Sequence, residues 1–111
     1  MSIRESIGAR RYSTPVMLTY SERVVDDYGH ATYKPAEDVM QVYASVSVLS
    51  ASKTLMTFQQ ADVVGLDIEL REPGVPFNGI RYNGHDVHFS EPIPMERGRI
   101  LRVTGWYQMD R

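Results

Sequence analysis

The most regular feature of the sequence is an alternation of hydrophobic and polar residues with a period of two, which is typical of half-buried β-strands. The clearest strand is predicted over residues 41–49, where one face carries Val42, Ala44, Val46 and Val48. Residues 64–71 repeat the pattern, with Leu66, Ile68 and Leu70 on one face. Two more strands are predicted over residues 16–21 and 100–107, and in the last of these Leu101 and Val103 share a face.

Turn-forming residues separate these strands. Asp26-Asp27-Tyr28-Gly29 predicts a turn, because glycine adopts a positive φ readily, and residues 30–34 predict a short return strand. Pro35 interrupts that strand, and residues 36–38 are expected to be loop. Asn83-Gly84 lies between the alternating runs 80–82 and 87–89, so it predicts a hairpin whose type I′ turn has positive φ at both central residues. Residues 92–94, Pro-Ile-Pro, predict an extended linker.

One segment, residues 50–62, lacks the alternation. Ser50 or Ser52 could cap the start of a helix there, and Ala51, Leu55 and Phe58 would then share one helical face. We therefore expect a short helix or helical loop inserted between two strands. The whole pattern predicts an all-β fold, a small antiparallel β-barrel or sandwich of about six strands, with one short helical insertion.

The composition is that of one folded domain. The chain has 111 residues, of which 42% are hydrophobic and none is cysteine. A chain of this size buries enough surface to fold without disulfides, and the lack of cysteine excludes thiolate metal sites and thiol catalysis. We treat residues 1–111 as a single domain, with residues 1–14 as a flexible N-terminal arm. No apolar run predicts a membrane span or a secretory signal, so we expect a soluble protein with no membrane partner.

The formal net charge is −2, and it is unevenly distributed. Residues 1–25 carry a net charge of +2, residues 26–96 carry −7 and residues 97–111 carry +3. Basic ends and an acidic middle could let one copy contact another head to tail, or they could be the solvated faces of a monomer. The near-neutral total argues against a dedicated nucleic-acid-binding protein.

The residue patterns do not indicate catalysis, so we predict a protein that is not an enzyme and that uses no cofactor or metal. His85 and His88 are spaced so that a strand directs them to opposite faces, which disfavours a shared metal site. The sequence has neither a Gly-x-Ser-x-Gly elbow nor a glycine-rich phosphate loop. Trp106 and Tyr107 are either interface anchors or aromatic residues of the core or barrel cap.

Several segments occur in a recognisable order. Asp27-Tyr28-Gly29 follows the first strand, Tyr43-Ala44-Ser45-Val46 follows later, and Phe58-Gln59-Gln60-Ala61 leads into the strand of residues 66–71. Residues 80–89 and a closing strand complete the order. Over roughly residues 16–104 the chain resembles the head–tail joining, or head-closure, proteins of tailed bacteriophages and prophages. It departs from that pattern at Tyr43, where the family often has tryptophan, and in the additional Asn-Gly of residues 78–79.

This resemblance implies a structural virion protein that performs no covalent chemistry. Such a protein would form a ring with its own copies beneath the portal and its adaptor, close the channel on the packaged DNA and dock the tail. It would be present in the host cytoplasm during assembly and then at the head–tail interface of the virion. The alternatives are a tail-completion or terminator protein and an oligonucleotide-binding β-barrel, although the acidic middle of the chain opposes the latter.

The resemblance also suggests which residues make contacts. The channel-closing loop would fall at residues 50–62, with channel candidates Lys53, Met56, Phe58, Gln59 and Gln60. Candidates for contacts with partner proteins are Arg10, Arg11, Arg97, Arg99, Arg102, Trp106 and Tyr107.

Overall fold

The computed structural model describes residues 12–109, which form nine β-strands and one α-helix. In chain order the elements are β1 (Thr14–Tyr20), β2 (Arg23–Val25), β3 (Ala31–Tyr33), β4 (Glu37–Val48), α1 (Ala51–Phe58), β5 (Val63–Arg71), β6 (Gly79–Tyr82), β7 (His85–Phe89), β8 (Ile93–Met95) and β9 (Ile100–Gln108). A single 3₁₀ turn, Glu96–Gly98, joins β8 to β9.

Six of the strands form a closed barrel in the order β5-β4-β1-β6-β7-β9. The barrel closes because β9 pairs with β7 and also, along its whole length, with β5. Every neighbouring pair is antiparallel, as in a barrel built from hairpins. This arrangement confirms the predicted all-β fold and, of its two forms, selects the barrel.

The alternating strand directions give the barrel two different ends. We call one the hairpin end, because it carries the β2–β3 hairpin, the β5–β6 connection of residues 72–78 and the β7–β9 connection of residues 90–99. We call the other the helix end, because it carries α1 and the β6–β7 turn at Asn83-Gly84. Surfaces at the two ends are therefore separated by the length of the barrel.

The barrel interior is filled by the inward-facing residues of the alternating pattern. Ten buried residues form this core: Val16, Leu18, Ala44, Leu66, Ile68, Leu70, Ile80, Val87, Leu101 and Val103. β4 and β1 lie between β5 and β6 in the barrel, so the β5–β6 connection has to cross the hairpin end. Its Phe77 packs against the core from that side.

The β2–β3 hairpin continues the β1–β4 ribbon beyond the barrel. Its two strands pair with each other, from Arg23 opposite Tyr33 to Val25 opposite Ala31. At the tip, Oδ1 of Asp26 accepts hydrogen bonds from two main-chain N–H groups, at 2.9 Å and 2.8 Å. The predicted turn and return strand are thus confirmed, whereas the pairing of β2 was not predicted.

Several local predictions were wrong. Residues 37 and 38, expected in a loop, begin β4, because they pair with Tyr20 and Thr19 at the end of β1. The expected linker at residues 92–94 instead overlaps β8, an edge strand, where proline is tolerated. Val48 was expected on the buried face of its strand but is 64% exposed at the helix end. Thr14, assigned to the N-terminal arm, belongs to β1, and residues 1–11 of that arm lie outside the described residues.

Candidate functional site

The inserted helix α1 is held at both ends by local hydrogen bonds. The Ser50 side chain accepts a hydrogen bond from the main-chain N–H of Lys53 at 3.2 Å. Of the two alternatives predicted for the N-cap, Ser50 and Ser52, the structure therefore selects Ser50. At the other end Gln59 adopts a left-handed conformation, with φ of 57°, and its N–H donates to the carbonyl of Leu55 at 2.8 Å. The helix is therefore shorter than the predicted segment of residues 50–62.

α1 lies against the outer face of β5 at a glycine. A Cβ atom built onto Gly65 would lie 2.6 Å from Oγ1 of Thr54 and 3.1 Å from the Phe58 ring, so the glycine allows the helix to approach. Thr54 is the buried residue of α1, and its hydroxyl donates to the Ser50 carbonyl at 2.8 Å. Of the three residues predicted to share one helical face, Phe58 is half-buried, whereas Ala51 and Leu55 are exposed, Leu55 to 49%.

The channel candidates lie around this helix at the helix end of the barrel. Lys53, Met56 and Gln59 are exposed, whereas Phe58 and Gln60 are half-buried. Met56 is 83% exposed and stands beside the exposed Leu55. Lys53 is the only charged residue between positions 50 and 60. α1 therefore presents a partly apolar surface whose single charge is that of Lys53, and such a composition is suited to contact with another surface.

Trp106 and Tyr107 are consecutive on β9 and face opposite sides of the barrel wall. The Tyr107 ring lies 4.3 Å from the His85 ring and 6.2 Å from the Tyr82 ring, measured between centroids, and packs against the core at the helix end. The Trp106 ring stacks at 4.4 Å on His88. The two histidines thus lie on opposite faces of β7, as predicted.

Trp106 lines a surface groove on the outside of the barrel. This groove has a volume of about 320 Å³, and its lining residues are Phe58, His88, Phe89, Ser90, Thr104 and Trp106. The sequence left two roles open for this aromatic pair, and the position of Tyr107 fits the barrel-capping role. The half-buried, outward-facing Trp106 remains a candidate for partner contacts.

The three candidate arginines at positions 97, 99 and 102 differ in their surroundings. Arg102 forms a bidentate ion pair with Asp67, with nitrogen–oxygen distances of 3.0 Å and 2.9 Å. The hydrogen bond and charge of Asp67 raise the pKa of Arg102 above its usual value. Arg97 and Arg99 are exposed and form no ion pair with another residue of the described range 12–109. Arg10 and Arg11 lie outside that range.

Arg97 occupies an unusual loop at the hairpin end. Glu96, Arg97 and Gly98 have φ values of 50°, 60° and 83°, three consecutive residues in the left-handed region. Each such non-glycine residue costs about 1–2 kcal/mol, and this strain is commonly found at functional positions. The following residue, Arg99, is anchored because its carbonyl accepts the Glu72 N–H at 2.8 Å. The loop thus presents two exposed cations, Arg97 and Arg99, on a backbone that is anchored at Arg99.

The β2–β3 hairpin adds exposed apolar residues to the same end. Val25 is 55% exposed, Tyr33 is 66% exposed and Tyr28, at the tip, is 86% exposed. Val25, Ala31, Tyr33 and Arg23 share one face, since cross-strand partners face the same way. Sequence reasoning did not propose these residues as a contact surface. The available signal was the presence of hydrophobic residues, Val24, Val25, Tyr28 and Tyr33, on both sides of a predicted polar turn.

A second concavity, of about 510 Å³, lies outside β4 and β5, where the Arg71 guanidinium sits 5.3 Å from the centre of the Tyr12 ring.

Among residues 12–109, no group of three or more histidine, aspartate or glutamate residues is placed to hold a metal ion. Within the same range, none of the helices is long and apolar enough to cross a membrane.

Comparison with known proteins identifies a shared fold. No family model matches the chain, and no curated protein matches it. The solution structure of protein SF1141 from Shigella flexneri 2a superposes on this chain with a TM-score of 0.61. The two sequences are 16% identical, and the alignment covers 91% of this chain and 96% of the Shigella protein. At this identity the likeness establishes a common barrel architecture and does not extend to function.

Proposed function

We propose that this protein is a head-closure, or head–tail joining, protein of a tailed phage or prophage. In this role, copies of the chain form a ring beneath the portal and its adaptor, close the DNA channel and dock the tail. The observation that carries the proposal is the placement of two contact surfaces at opposite ends of a closed barrel. A joining protein has to contact different partners on its two sides, and a closed, well-packed barrel keeps the two surfaces at a fixed separation.

At the helix end, α1 is the segment that we assign to the channel. Its outer surface carries Leu55 and Met56, and its one charge is that of Lys53. A segment that closes a channel over DNA should have no acidic residue, since DNA phosphates would repel it. α1 and its caps meet this requirement, because the first acidic residue after the helix is Asp62.

At the hairpin end, the β2–β3 hairpin and the loop of residues 96–99 supply the second surface. The hairpin offers apolar contact area through Val25, Tyr28 and Tyr33, while Arg97 and Arg99 offer exposed positive charge. A ring requires heterologous contacts, in which one patch of a subunit meets a different patch of its neighbour. The projecting hairpin is suited to reach a neighbouring subunit or a partner ring.

An assembly assay tests this function. Heads that contain DNA but lack this protein are mixed with the purified chain, and both nuclease protection of the DNA and attachment of purified tails are measured. We expect the wild-type chain to restore both. The double substitution Leu55→Ser/Met56→Ser should reduce nuclease protection, and Val25→Ser/Tyr28→Ser should reduce docking.

Substitution is preferable to deletion of residues 51–60, although we expect that such a deletion would also abolish DNA retention. Removing α1 would expose Val63 and Gly65, which the helix now covers. The matched control is Ser52→Ala, which changes an exposed residue of the same helix. If the Leu55/Met56 variant protects DNA as well as wild type, α1 is not the channel segment. If the wild-type chain neither protects DNA nor supports tail attachment, the head-closure function is wrong.

Three further measurements separate the alternatives. Portal-like and capsid-like reading frames upstream of this one, with a tail-tube-like frame downstream, would support head closure, whereas metabolic neighbours would oppose it. A tail-completion protein would bind isolated tails without requiring heads. An oligonucleotide-binding barrel would bind single strands with an affinity that falls as salt increases, and absence of binding at low salt would eliminate this alternative.

A further inference from the structure

The chain contains two Asn-Gly pairs, Asn78-Gly79 and Asn83-Gly84, and the fold places them in contrasting environments. We propose that Asn83 is a site of spontaneous deamidation, at which the protein modifies its own backbone, and that the fold protects Asn78 from the same reaction. This inference is independent of the proposed function.

The reaction uses only groups of the Asn-Gly pair and water. The main-chain nitrogen of the glycine loses its proton and attacks Cγ of the preceding asparagine, forming a C–N bond. The bond from Cγ to the side-chain nitrogen breaks, and that nitrogen takes up a proton and leaves as ammonia. Water then opens the resulting five-membered succinimide at either carbonyl, which yields aspartate or isoaspartate. Glycine favours the attack because it has no Cβ to hinder the approach of its nitrogen.

The surroundings of Asn83 allow this attack. Asn83 and Gly84 are the two exposed central residues of the β6–β7 turn, with φ values of 50° and 80°. The Asn83 side chain forms no hydrogen bond with any residue between positions 12 and 109. A Cβ atom on Gly84 would meet nothing within 4 Å, so water has free access. Only a local opening of a four-residue turn is needed to bring the nitrogen to Cγ.

The Asn78 side chain and the main chain around it are restrained by contacts with residues 19–21. Its Oδ1 accepts a hydrogen bond from the Ser21 N–H at 2.9 Å, and its Nδ2 donates to the Ser21 carbonyl at 2.8 Å. Its own N–H donates to the Thr19 carbonyl at 3.0 Å. Gly79 packs so closely on Thr19 that an added Cβ would clash with Oγ1 of Thr19. Attack at Asn78 would therefore require the β5–β6 connection to separate from β1.

Deamidation at Asn83 would alter the helix end. Either product adds a negative charge beside the exposed Asp86. Isoaspartate also inserts an extra backbone carbon into a two-residue turn that sets the pairing of Tyr82 with His85. Both of these side chains contact the Tyr107 ring. Formation of isoaspartate should consequently disturb the aromatic packing at this end of the barrel.

Peptide mapping by mass spectrometry tests the proposal. The full chain is incubated at neutral pH, and peptides that contain each asparagine are followed for a mass gain of about one dalton and for isoaspartate. We expect conversion at Asn83 to exceed that at Asn78 by at least about tenfold, since two hydrogen bonds to the main chain restrain the Asn78 side chain. In urea the two sites should react at similar rates.

Asn83→Gln provides the matched control, because glutamine retains an amide but would have to form a larger ring. This variant should show no conversion at position 83, with Asn78 unchanged. Equal conversion of the two asparagines in the folded chain would overturn the proposal. So would an Asn83 that stays intact over the time in which the urea-unfolded chain converts.

Discussion

The side-chain amide of Asn78 forms two hydrogen bonds with the main chain of Ser21, one through Oδ1 at 2.9 Å and one through Nδ2 at 2.8 Å. The two residues are 57 positions apart in the sequence. Ser21 lies between β1 and β2, where the ribbon leaves the barrel. The Asn78 amide thus acts like a short piece of neighbouring strand and joins the β5–β6 connection to the base of the hairpin.

Removal of this amide should loosen the hairpin. For Asn78→Ala we expect the free energy of unfolding to fall by about 1–2 kcal/mol, because two hydrogen bonds to main-chain groups are lost. Urea denaturation measures this loss, and hydrogen exchange should show faster exchange in β2 and β3 with little change in β5. Ser47→Ala, at an exposed position of β4, serves as the control. Unaltered exchange in β2 and β3 would show that Asn78 does not restrain the hairpin.

A methyl group at Gly65 should displace α1 from the barrel. The added Cβ of Gly65→Ala would lie 2.6 Å from Oγ1 of Thr54, so the helix must shift. We expect a loss of about 1–3 kcal/mol in the free energy of unfolding, as for other overpacked sites, and faster hydrogen exchange in α1.

The matched test combines Gly65→Ala with Thr54→Ala, which removes the atoms nearest to the new methyl group. If Thr54 and Gly65 are in direct contact, the double variant should be less destabilised than the sum of the two single variants. Strict additivity of the two losses would mean that α1 does not pack on Gly65 as described.

Two leucines should differ sharply in their contribution to stability. Leu18 is fully buried in the barrel, so Leu18→Ala should lower the free energy of unfolding by about 2–5 kcal/mol. Leu55 is 49% exposed on α1, and Leu55→Ala should change it by less than about 0.5 kcal/mol. Urea denaturation of both variants measures the contrast. A large loss for Leu55→Ala would mean that Leu55 packs against the barrel and is not an exposed residue of α1.

Substitution of Arg102 should affect the stability of the isolated chain, whereas substitution of Arg97 or Arg99 should affect assembly. Arg102→Gln should lower the stability of the isolated chain slightly, because it breaks the bidentate pair with Asp67. A double-mutant cycle with Asp67→Asn should show a favourable coupling that decreases as salt is added. Arg97→Gln and Arg99→Gln should leave the stability of the isolated chain unchanged but should weaken assembly with heads or tails. If Arg102→Gln impairs assembly as strongly as these two, Arg102 also contacts a partner.

Local features of the fold were predictable from the sequence because their causes are local. The inward faces of β5 and β9 follow from alternation, since successive side chains of a strand point to opposite sides. The Asn83-Gly84 turn follows from the positive φ that both residues tolerate, and the start of α1 follows from the Ser50 hydroxyl. The opposite orientations of His85 and His88 follow from the same alternation. Each of these predictions needs only a few consecutive residues.

The candidate site was predictable only in part. The inserted segment was located correctly, but its buried residue, Thr54, was not predicted. Thr54 is buried because the helix packs on Gly65, and a glycine in a strand does not indicate in the sequence which residue will pack against it. Arg102 looked equivalent to Arg97 and Arg99 in the sequence, and only the pairing of β5 with β9 brings Asp67 within its reach. The exposed apolar residues of the hairpin became apparent once β2 was found to pair with β3 alone.

The sequence by itself determined that this is an all-β protein, which faces of β5 and β9 point inward, and where a helix interrupts the strands. The tertiary structure alone decided that six strands close into a barrel, that Phe77 packs into one end of it, and that the hairpin and α1 stand at opposite ends. The physical reason is the range of the interactions. Alternation and turn propensity act over a few residues, whereas closure depends on main-chain hydrogen bonds between segments that are far apart in the chain and on the packing they create together.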